Sequence, residues 1–190
     1  AGLQPWVSTE DEAIANAAID YGALLIQRPM ELARDRTPTV RVVNHAVKQG
    51  DWDWVLLLQP TNPLRTAKDI QRAIALAYEF SFCVISVTQR NEYAPAFAKR
   101  IEHIRDPAAL KDYDGEHLSR WEGRRQDRAP CYFRDGAIYL VHVFPQLFQQ
   151  DKLWTVPATP LVLPQENSVG IDTEVDFRLA DMLLRERVPA

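Results

Sequence analysis

Glycine and cysteine are both scarce in this chain. The 190 residues include 7 glycines. No two of these glycines are spaced to form a Gly-x-Gly-x-x-Gly dinucleotide turn or a P-loop. Cys83 and Cys131 are the two cysteines, too few for a disulfide framework or a cysteine-based zinc site. Low cysteine content is typical of a reducing compartment, so the sequence predicts a cytoplasmic protein.

Long apolar runs and a strong net charge are absent as well. No stretch approaches 18 apolar residues, so no membrane-spanning helix is predicted. The 22 basic and 26 acidic side chains leave a formal charge of −4. A mildly acidic balance argues against a general nucleic-acid or anionic-membrane binder. The length predicts one ordinary domain with a sizeable core.

Short apolar runs are present, and they alternate with helical patterns. Two continuous runs, 54–58 and 82–88, are typical of strands covered on both faces. Further strands are predicted over residues 4–8, 23–26, 137–142 and 161–163. The alternation predicts an α/β fold, a mostly parallel twisted sheet with helices on both faces.

Capping residues predict where the helices begin and end. Thr9 is predicted to cap a helix that Gly22 stops, and Thr37 to cap one that begins at Pro38 and ends at Gly50. Later helices are predicted over residues 66–79, with Thr66 and Asp69 as a cap pair, over 144–150, and from Thr173 to about Arg187, with Asp176 completing the cap.

Residues 90–135 break the alternation. They are polar and irregular, and their arginines include those at positions 100, 105, 120, 124, 125, 128 and 134. We interpret the chain as a single domain, residues 1–190, in which 90–135 is an insertion that forms a lid or an arm toward a second subunit.

Ligands of open α/β sheets bind beyond the carboxyl ends of the strands, so the residues after each strand are the candidates. Residues 59–65 follow the run 54–58 and present an amide, a hydroxyl and a guanidinium between two prolines. Such a turn can also use its polar groups on its own backbone. The position at a strand's end favours ligand contact.

Asp172 stands between a predicted strand and a predicted helix. A carboxylate there can hold Mg²⁺ against a bound phosphate. The alternative is an acid that the helix dipole favours, which is the better explanation for Asp176. Arg124 and Arg125 are either a solvated face or a grip for a carboxylate or phosphate. The four histidines show no metal-ligand spacing.

These segments together resemble the acylneuraminate cytidylyltransferases, also called CMP-sialic acid synthetases. The most specific match is residues 57–65, close to the family's L-L-Q-P-T-S-P-L-R loop. The other matches follow the family's order: 7–11 to V-S-T-D, 28–35 to R-P-x-x-L-A-x-D, 124–127 to R-R-Q-x, 136–139 to N-G-A-I-Y and 170–177 to D-I-D-T-E-x-D-F. The resemblance covers nearly the whole chain.

The resemblance implies a Rossmann-like nucleotidyltransferase fold and a Mg²⁺-dependent reaction. The anomeric hydroxyl of an acidic nine-carbon keto sugar attacks the α-phosphate of CTP, pyrophosphate leaves, and a CMP-sugar forms. It also implies a homodimer, with a tetramer as the alternative, in which the 90–135 segment reaches the neighbouring subunit.

Site roles follow from the resemblance, position by position. The nucleotide positions are Arg28, Thr39, Pro60 and Thr61. The acidic-sugar positions are Gln59, Lys99, Arg125, Tyr139, Leu153 and Trp154. Asp172 matches a metal-binding aspartate, and Asp172 and Arg125 are the positions expected to act in catalysis. Leu153 and Trp154 stand where the family has aromatic residues beside the sugar's N-acyl group.

The chain departs from the family pattern at three single positions. Gly170 replaces the first aspartate of D-I-D, Asn62 replaces a serine, and Asp135 replaces an asparagine. The family's I-P-A-R-x-G-S-K phosphate loop has no match, so this chain alone is expected to have little activity. The alternative to an enzyme is a non-catalytic remnant that serves as a binding or assembly partner. A legionaminic or pseudaminic acid is the alternative acceptor.

Overall fold

The computed structural model describes residues 2–80, 83–90, 99–101, 110–112, 130–143, 152–153 and 157–187. A four-stranded sheet is built from β3 (Trp54–Leu57), β4 (Val84–Gln89), β7 (Tyr132–His142) and β8 (Thr159–Leu163), in the order β3-β7-β4-β8. β7 is antiparallel to both neighbours, and β8 is parallel to β4. Three of the four strands therefore run in the same direction and end at the same edge.

Two strand pairs are separate from this sheet. β1 (Trp6–Thr9) and β2 (Leu24–Gln27) pair in parallel, and β5 (Lys99–Ile101) and β6 (Leu110–Asp112) pair antiparallel. The indole of Trp6 meets that of Trp52 edge to face, with ring centroids 5.8 Å apart. This contact places β1 beside the segment that leads into β3.

The described residues include four α-helices: α1 (Glu12–Asp20), α2 (Thr39–Val47), α3 (Ala67–Phe80) and α4 (Glu174–Arg187). Short 3₁₀ turns occupy Met30–Leu32 and Gln165–Asn167. The predicted α/β class, with helices on both faces, is confirmed. The predicted helix over 144–150 lies outside the described residues, as does most of the 90–135 segment.

Two predicted helix caps are confirmed and two are wrong. Thr66 and Asp69 bond each other at the start of α3, and Thr173 and Asp176 do so at α4. Thr9 instead ends β1, and Asp11 caps α1 by accepting from the Ile14 N–H at 2.8 Å. The α2 N-cap position is Pro38, whose side chain has no hydrogen-bonding group. The Thr37 hydroxyl donates to the Glu31 carbonyl and does not cap the helix.

The apolar core lies on both faces of the four-stranded sheet, because neighbouring side chains of a strand point to opposite faces. One cluster packs α3 against Val84, Ile138, Leu140, Leu161 and Leu163. The other packs α2 against Cys83, Val141 and Val143, with Leu57 and Leu153 at its border. The buried Cys83 agrees with the predicted core position.

β7 carries a large bulge against β4. The register passes from Ile85 opposite Tyr139 to Val87 opposite Arg134, so residues 135–138 face Ser86 alone. We call residues 135–138 the β7 bulge. Gly136 within it has a φ of +81°, a left-handed conformation that favours glycine. The bulge ends ordinary ladder pairing at this point and turns the residue 135–136 backbone toward the end of β3.

The described part of the chain holds no helix with the length and apolar character that crossing a membrane requires.

Candidate functional site

The residues that follow β3 form a loop that is closed on itself. We call residues 58–66 the β3–α3 loop. The guanidinium of Arg65 donates through Nη1 to the carbonyls of Gln59, at 2.8 Å, and of Asn62. The Asn62 N–H donates to the Gln59 carbonyl at 3.2 Å. Burial lowers the pKa of the Arg65 guanidinium below its ordinary value. Arg65 therefore holds the loop shape, while Pro60 and Thr61 are exposed at its tip.

Asn62 connects this loop to the β7 bulge. Its side chain is buried, with 3% of the residue exposed. Its Nδ2 donates to the Asp135 carbonyl at 2.7 Å, and its Oδ1 lies 3.5 Å from the Thr61 hydroxyl. A buried amide with its donor in use holds its partner segment in one position. The loop after β3 and the bulge of β7 are thus joined by a side chain.

The β7 bulge is held from the β4 side by Ser86. The Ser86 hydroxyl donates to Asp135 Oδ1 and accepts from the Ile138 N–H at 2.8 Å. Asp135 Oδ1 also accepts from the Ala137 N–H at 3.0 Å. Asp135 Oδ2 is buried, without a hydrogen-bond partner among the described residues. One carboxylate oxygen of Asp135 therefore maintains the bulge.

Gly136 and the side chain of Gln59 are in close contact. A Cβ at position 136 would lie 2.7 Å from Gln59 Oε1 and 3.1 Å from Asn62 Oδ1. The first distance is shorter than any real Cβ contact, so the Gln59 amide occupies the space that a side chain at 136 would need. The bulge backbone thus forms the surface on which the Gln59 amide rests.

The segment between β8 and α4 completes the group of loops. We call residues 164–173 the β8–α4 loop. The Ile171 N–H donates to the Thr61 carbonyl at 2.8 Å. A Cβ at Gly170 would lie 3.3 Å from Asn62 Nδ2. The β8–α4 loop therefore touches the β3–α3 loop through both backbone and side chain.

Asp172 lies in this loop with its carboxylate exposed and without a hydrogen bond to the described residues. Its N–H, in contrast, donates to Asp176 Oδ2 at 3.2 Å. Asp176 caps α4, and its hydrogen bonds from the Thr173 side chain hold its pKa below 3.8. Asp176 thus serves the helix, as predicted, whereas the assignment of Asp172 to a metal stays a prediction.

α4 packs against both loops. Leu64 of the β3–α3 loop, Val169 of the β8–α4 loop and Ala180 of α4 form a buried cluster. Arg187 at the end of α4 donates to the Leu64 carbonyl, to the Glu166 carbonyl at 2.7 Å and to Asn167 Oδ1 at 2.6 Å. The helix therefore fixes the relative position of the two loops.

Tyr139 and Leu153 border the α2 side of the sheet. Tyr139 is paired with Leu57 and alternates in phase with Val141, so its ring faces the same side as Val141. Burial raises the pKa of Tyr139, with Arg134 lowering it and Asp135 raising it. Leu153 packs against the same α2 cluster, and Thr39 is the exposed first residue of α2.

Arg28 follows β2 and is paired with Glu10, which follows β1. Arg28 Nε donates to Glu10 Oε2 at 2.7 Å, and each side chain retains 23% exposure. This hydrogen bond from Arg28 lowers the pKa of Glu10 from 4.5. The guanidinium is therefore held in place at the end of the β1–β2 pair.

The predicted site residues fall into three groups in the structure. Gln59, Pro60, Thr61 and Asp172 lie on the two connected loops. Tyr139, Leu153 and Thr39 belong to the α2 side, and Arg28 lies at the β1–β2 pair. The side chain of Lys99, on β5, and all of Arg125 and Trp154 lie outside the described residues. Within the described part of the chain, no three His, Cys, Asp or Glu side chains cluster as a ready-made metal site.

Sequence analysis assigns no role to Ser86, Glu10 or the Arg187 side chain. It favours ligand contact for the guanidinium of Arg65, whereas the structure uses that group on the loop's own carbonyls. Ser86 is a hydroxyl within an otherwise apolar strand, fully buried, and that exception was the available signal. Arg65 and Glu10 lie inside matched segments, but their partners are carbonyls or residues distant in sequence. Arg187 was predicted as a helix end, and its hydrogen bonds depend on tertiary structure.

Comparisons with known proteins identify the family and the fold. The model of the cytidylyltransferase family matches residues 3–163. An N-acylneuraminate cytidylyltransferase of Escherichia coli O18:K1:H7 is 29% identical over 177 residues, covering 92% of this chain and 40% of that protein. A CMP-N,N'-diacetyllegionaminic acid synthase of Legionella pneumophila is 28% identical over 191 residues, covering 94% of this chain and 76% of that protein.

A solved structure shares the fold. It is a CMP:2-keto-3-deoxy-manno-octonic acid synthetase in complex with CTP, with a TM-score of 0.65 and 14% identity over 98% of this chain and 82% of that one. This likeness confirms the nucleotidyltransferase fold alone. The chain spans 40% of the length of the E. coli relative. With most of its length matched by the family model, the chain belongs to the cytidylyltransferase family.

Proposed function

We propose that the protein transfers CMP from CTP to the anomeric hydroxyl of an acylneuraminate-like keto acid and releases pyrophosphate. The observation that carries this proposal is the direct bonding of the β3–α3 loop, the β7 bulge and the β8–α4 loop. Three of the segments that resemble the family, 57–65, 136–139 and 170–177, thus meet at one edge of the sheet. Relatives named for transfer to N-acylneuraminate and N,N'-diacetyllegionaminic acid support the acceptor class.

The nucleotide is assigned to residues of the β3–α3 loop, the start of α2 and the end of the β1–β2 pair. Pro60 and Thr61 at the tip of the β3–α3 loop, Thr39 at the start of α2 and Arg28 are the contacts that the family resemblance suggests. A guanidinium suits phosphate because it donates two parallel hydrogen bonds. Since Arg28 is already bonded to Glu10, phosphate contact uses its remaining N–H groups or displaces the Glu10 carboxylate.

The acidic sugar is assigned to Gln59, Tyr139 and Leu153, together with Lys99, Arg125 and Trp154. The Gln59 amide offers a donor and an acceptor to sugar hydroxyls. The Tyr139 hydroxyl is protonated at neutral pH and can donate a hydrogen bond, and burial raises its pKa further. Leu153 adds an apolar contact suited to an acyl group. The cations at 99 and 125 suit the sugar carboxylate in charge.

A bound Mg²⁺ fits the donor set around Asp172. The carboxylate is exposed and not used by the described residues, and Mg²⁺ commonly takes one or two protein carboxylates and completes its shell with phosphate oxygens and waters. Glycine at 170 leaves Asp172 as the carboxylate that would hold it. Such an ion supplies charge neutralisation at the phosphates. Asp172 is therefore one catalytic candidate. Arg125 is the other, on the family resemblance.

We also propose the assembly and the location. The 90–135 segment, as an insertion in a single domain, is assigned to the interface of a homodimer. Size-exclusion chromatography with light scattering should give twice the monomer mass, and a monomer would count against this assignment. The chain has two cysteines, Cys83 and Cys131, and this low cysteine content supports a cytoplasmic location.

The decisive experiment is an assay of the complete gene product with CTP, MgCl₂ and N-acetylneuraminate or N,N'-diacetyllegionaminate. Formation of CMP-sugar by mass spectrometry, with pyrophosphate in equal amount, is expected. Absence of turnover and of Mg²⁺-dependent CTP binding by calorimetry would instead support a non-catalytic remnant.

The role of Asp172 is tested in the same assay. Asp172→Asn is expected to raise the Mg²⁺ concentration for half-maximal rate at least about tenfold, because a carboxylate ligand is lost. Asp181→Asn on α4 is the matched control, and its Mg²⁺ dependence should not change. An unaltered Mg²⁺ requirement in Asp172→Asn would remove Asp172 from the metal site.

A further inference from the structure

Two of the positions at which this chain departs from the family pattern are in contact. Asn62 stands in place of a serine and Gly170 in place of an aspartate. In the structure, the Cβ position of Gly170 lies 3.3 Å from Asn62 Nδ2. This distance is tighter than nine in ten real Cβ contacts, so a side chain at 170 requires the Asn62 amide to give way by a few tenths of an ångström.

The Asn62 amide cannot move freely. It is buried and its Nδ2 donates to the Asp135 carbonyl at 2.7 Å. Losing that bond would leave a buried donor or acceptor unsatisfied, which is costly. The bond also holds the residue next to Gly136, and the Cβ position of Gly136 lies 2.7 Å from Gln59 Oε1. An unbroken set of contacts thus runs from Gly170 through Asn62 and the β7 bulge to the Gln59 amide.

We propose that Asn62 is a positioning residue, and that glycine at 170 leaves the space its amide needs to hold the β7 bulge beneath the Gln59 side chain. Gly170 and Asn62 form one steric unit. A larger residue at 170 moves Asn62, and through it the Asp135–Gly136 backbone and Gln59. The inference deepens the proposed function, on which it rests for the statement that Gln59 contacts the acceptor.

A double-mutant cycle of thermal unfolding tests the steric unit without an activity assay. Gly170 lies outside the left-handed region, so alanine there carries no backbone strain. Gly170→Ala is expected to lower the Tm by about 3 °C or more in the native background, because the Cβ crowds the amide. In Asn62→Ser the same substitution should change the Tm by less than about 1 °C. Equal losses in the two backgrounds would overturn the proposal.

The side-chain amide signal of Gln59 in a ¹H–¹⁵N spectrum tests the positioning role. Its assignment comes from its loss in Gln59→Glu. Gly170→Ala should shift this signal in the native background, whereas Asn62→Ser/Gly170→Ala should show the signal where Asn62→Ser alone places it. The control is the side-chain amide of Gln165, which lies in the same β8–α4 loop as Gly170 and donates to the Gln89 carbonyl at 2.9 Å. Its signal should not move in Gly170→Ala. A Gln59 signal that stays in place, or that moves equally without Asn62, would exclude the proposed route.

Kinetics separates this proposal from the proposed function. With N-acetylneuraminate, Gly170→Ala should raise the KM for the acid about fivefold and leave the KM for CTP within about twofold. Shifts in the Tm cycle and in the Gln59 signal without any turnover would refute the acceptor assignment and leave the steric unit standing. Turnover together with additive Tm effects would refute the steric unit and leave the proposed function standing.

Discussion

At the residue scale, Gly136 is the position where a single methyl group has the clearest consequence. Its φ of +81° and its contact with Gln59 Oε1 act together. Gly136→Ala should lower the free energy of unfolding by about 1 to 2 kcal/mol for the backbone conformation alone. The displaced Gln59 adds to this loss, and kcat/KM for the acidic sugar should fall.

Gly22→Ala is the matched control, because Gly22 has a φ of +78° with nothing within 4 Å of its Cβ position. Urea denaturation of both variants separates backbone strain from the contact with Gln59. Equal losses of stability would mean that Gln59 yields freely, and the contact would then have no role in holding the amide.

The Glu10–Arg28 pair predicts a pH dependence. The pKa of Glu10 is lowered in the folded protein. At a pH near these pKa values, the folded protein therefore binds fewer protons at Glu10 than the unfolded chain does. The stabilisation is present above the ordinary pKa of 4.5 and disappears as the pH falls through the lowered value. In Glu10→Gln, the Tm should fall less steeply with acidification below pH 4.5 than in the native protein.

Both side chains are partly exposed to solvent, so salt should reduce this difference. The comparison variant is Asp11→Asn, which removes the charge beside Glu10 but leaves the Arg28–Glu10 hydrogen bond in place. Identical acid dependence of the native protein and Glu10→Gln would show that Arg28 is not held by this ion pair.

At the scale of elements, the two matched capping pairs differ in burial. Asp69 at the start of α3 is buried and also accepts from Asn167 Nδ2 at 3.1 Å, whereas Asp176 at α4 is in the exposed pair. Thr66→Ala should therefore lower the free energy of unfolding by about 1 to 2 kcal/mol. Thr173→Ala should have a smaller effect in the same urea titration. A larger effect at Thr173 would contradict this reasoning.

Capping also shows what was predictable from the sequence. The Thr66–Asp69 and Thr173–Asp176 pairs are local patterns, and both formed as predicted. Thr9 has the same pattern with Glu12, but Asp11 is a better placed acceptor and β1 extends through Thr9. Competition between neighbouring caps depends on where the preceding strand ends, which the local pattern does not contain.

The β7 bulge was beyond sequence reasoning for a different reason. It depends on Ser86 and Asp135, 49 residues apart, and on Asn62 and Asp135, 73 residues apart. The matched segments predict which loops are candidates for the site, because family motifs are contiguous. The contacts that hold those loops together join distant positions, and the coupling of Asn62 with Gly170 is visible only in three dimensions.

At the scale of the whole molecule, α4 joins the last part of the chain to the loops after β3 and β8. Arg187→Ala removes hydrogen bonds to two backbone carbonyls and the Asn167 side chain. The free energy of unfolding should fall by about 1 to 2 kcal/mol. Arg185, in an exposed pair with Asp181, is the control on the same helix, and Arg185→Ala should change stability by less than about 0.5 kcal/mol. Equal effects would mean that Arg187 contributes only surface charge.

The edge-to-face contact of Trp6 with Trp52 can be followed by circular dichroism. Two indoles at this separation couple their electronic transitions, so they should give a paired band in the far-ultraviolet circular dichroism spectrum. That band is specific to the junction between the β1–β2 pair and the segment leading into β3. If the pair opens before the four-stranded sheet during denaturation, the band should disappear ahead of the helical signal. The order of the two losses would show whether the molecule unfolds as one cooperative unit or as two.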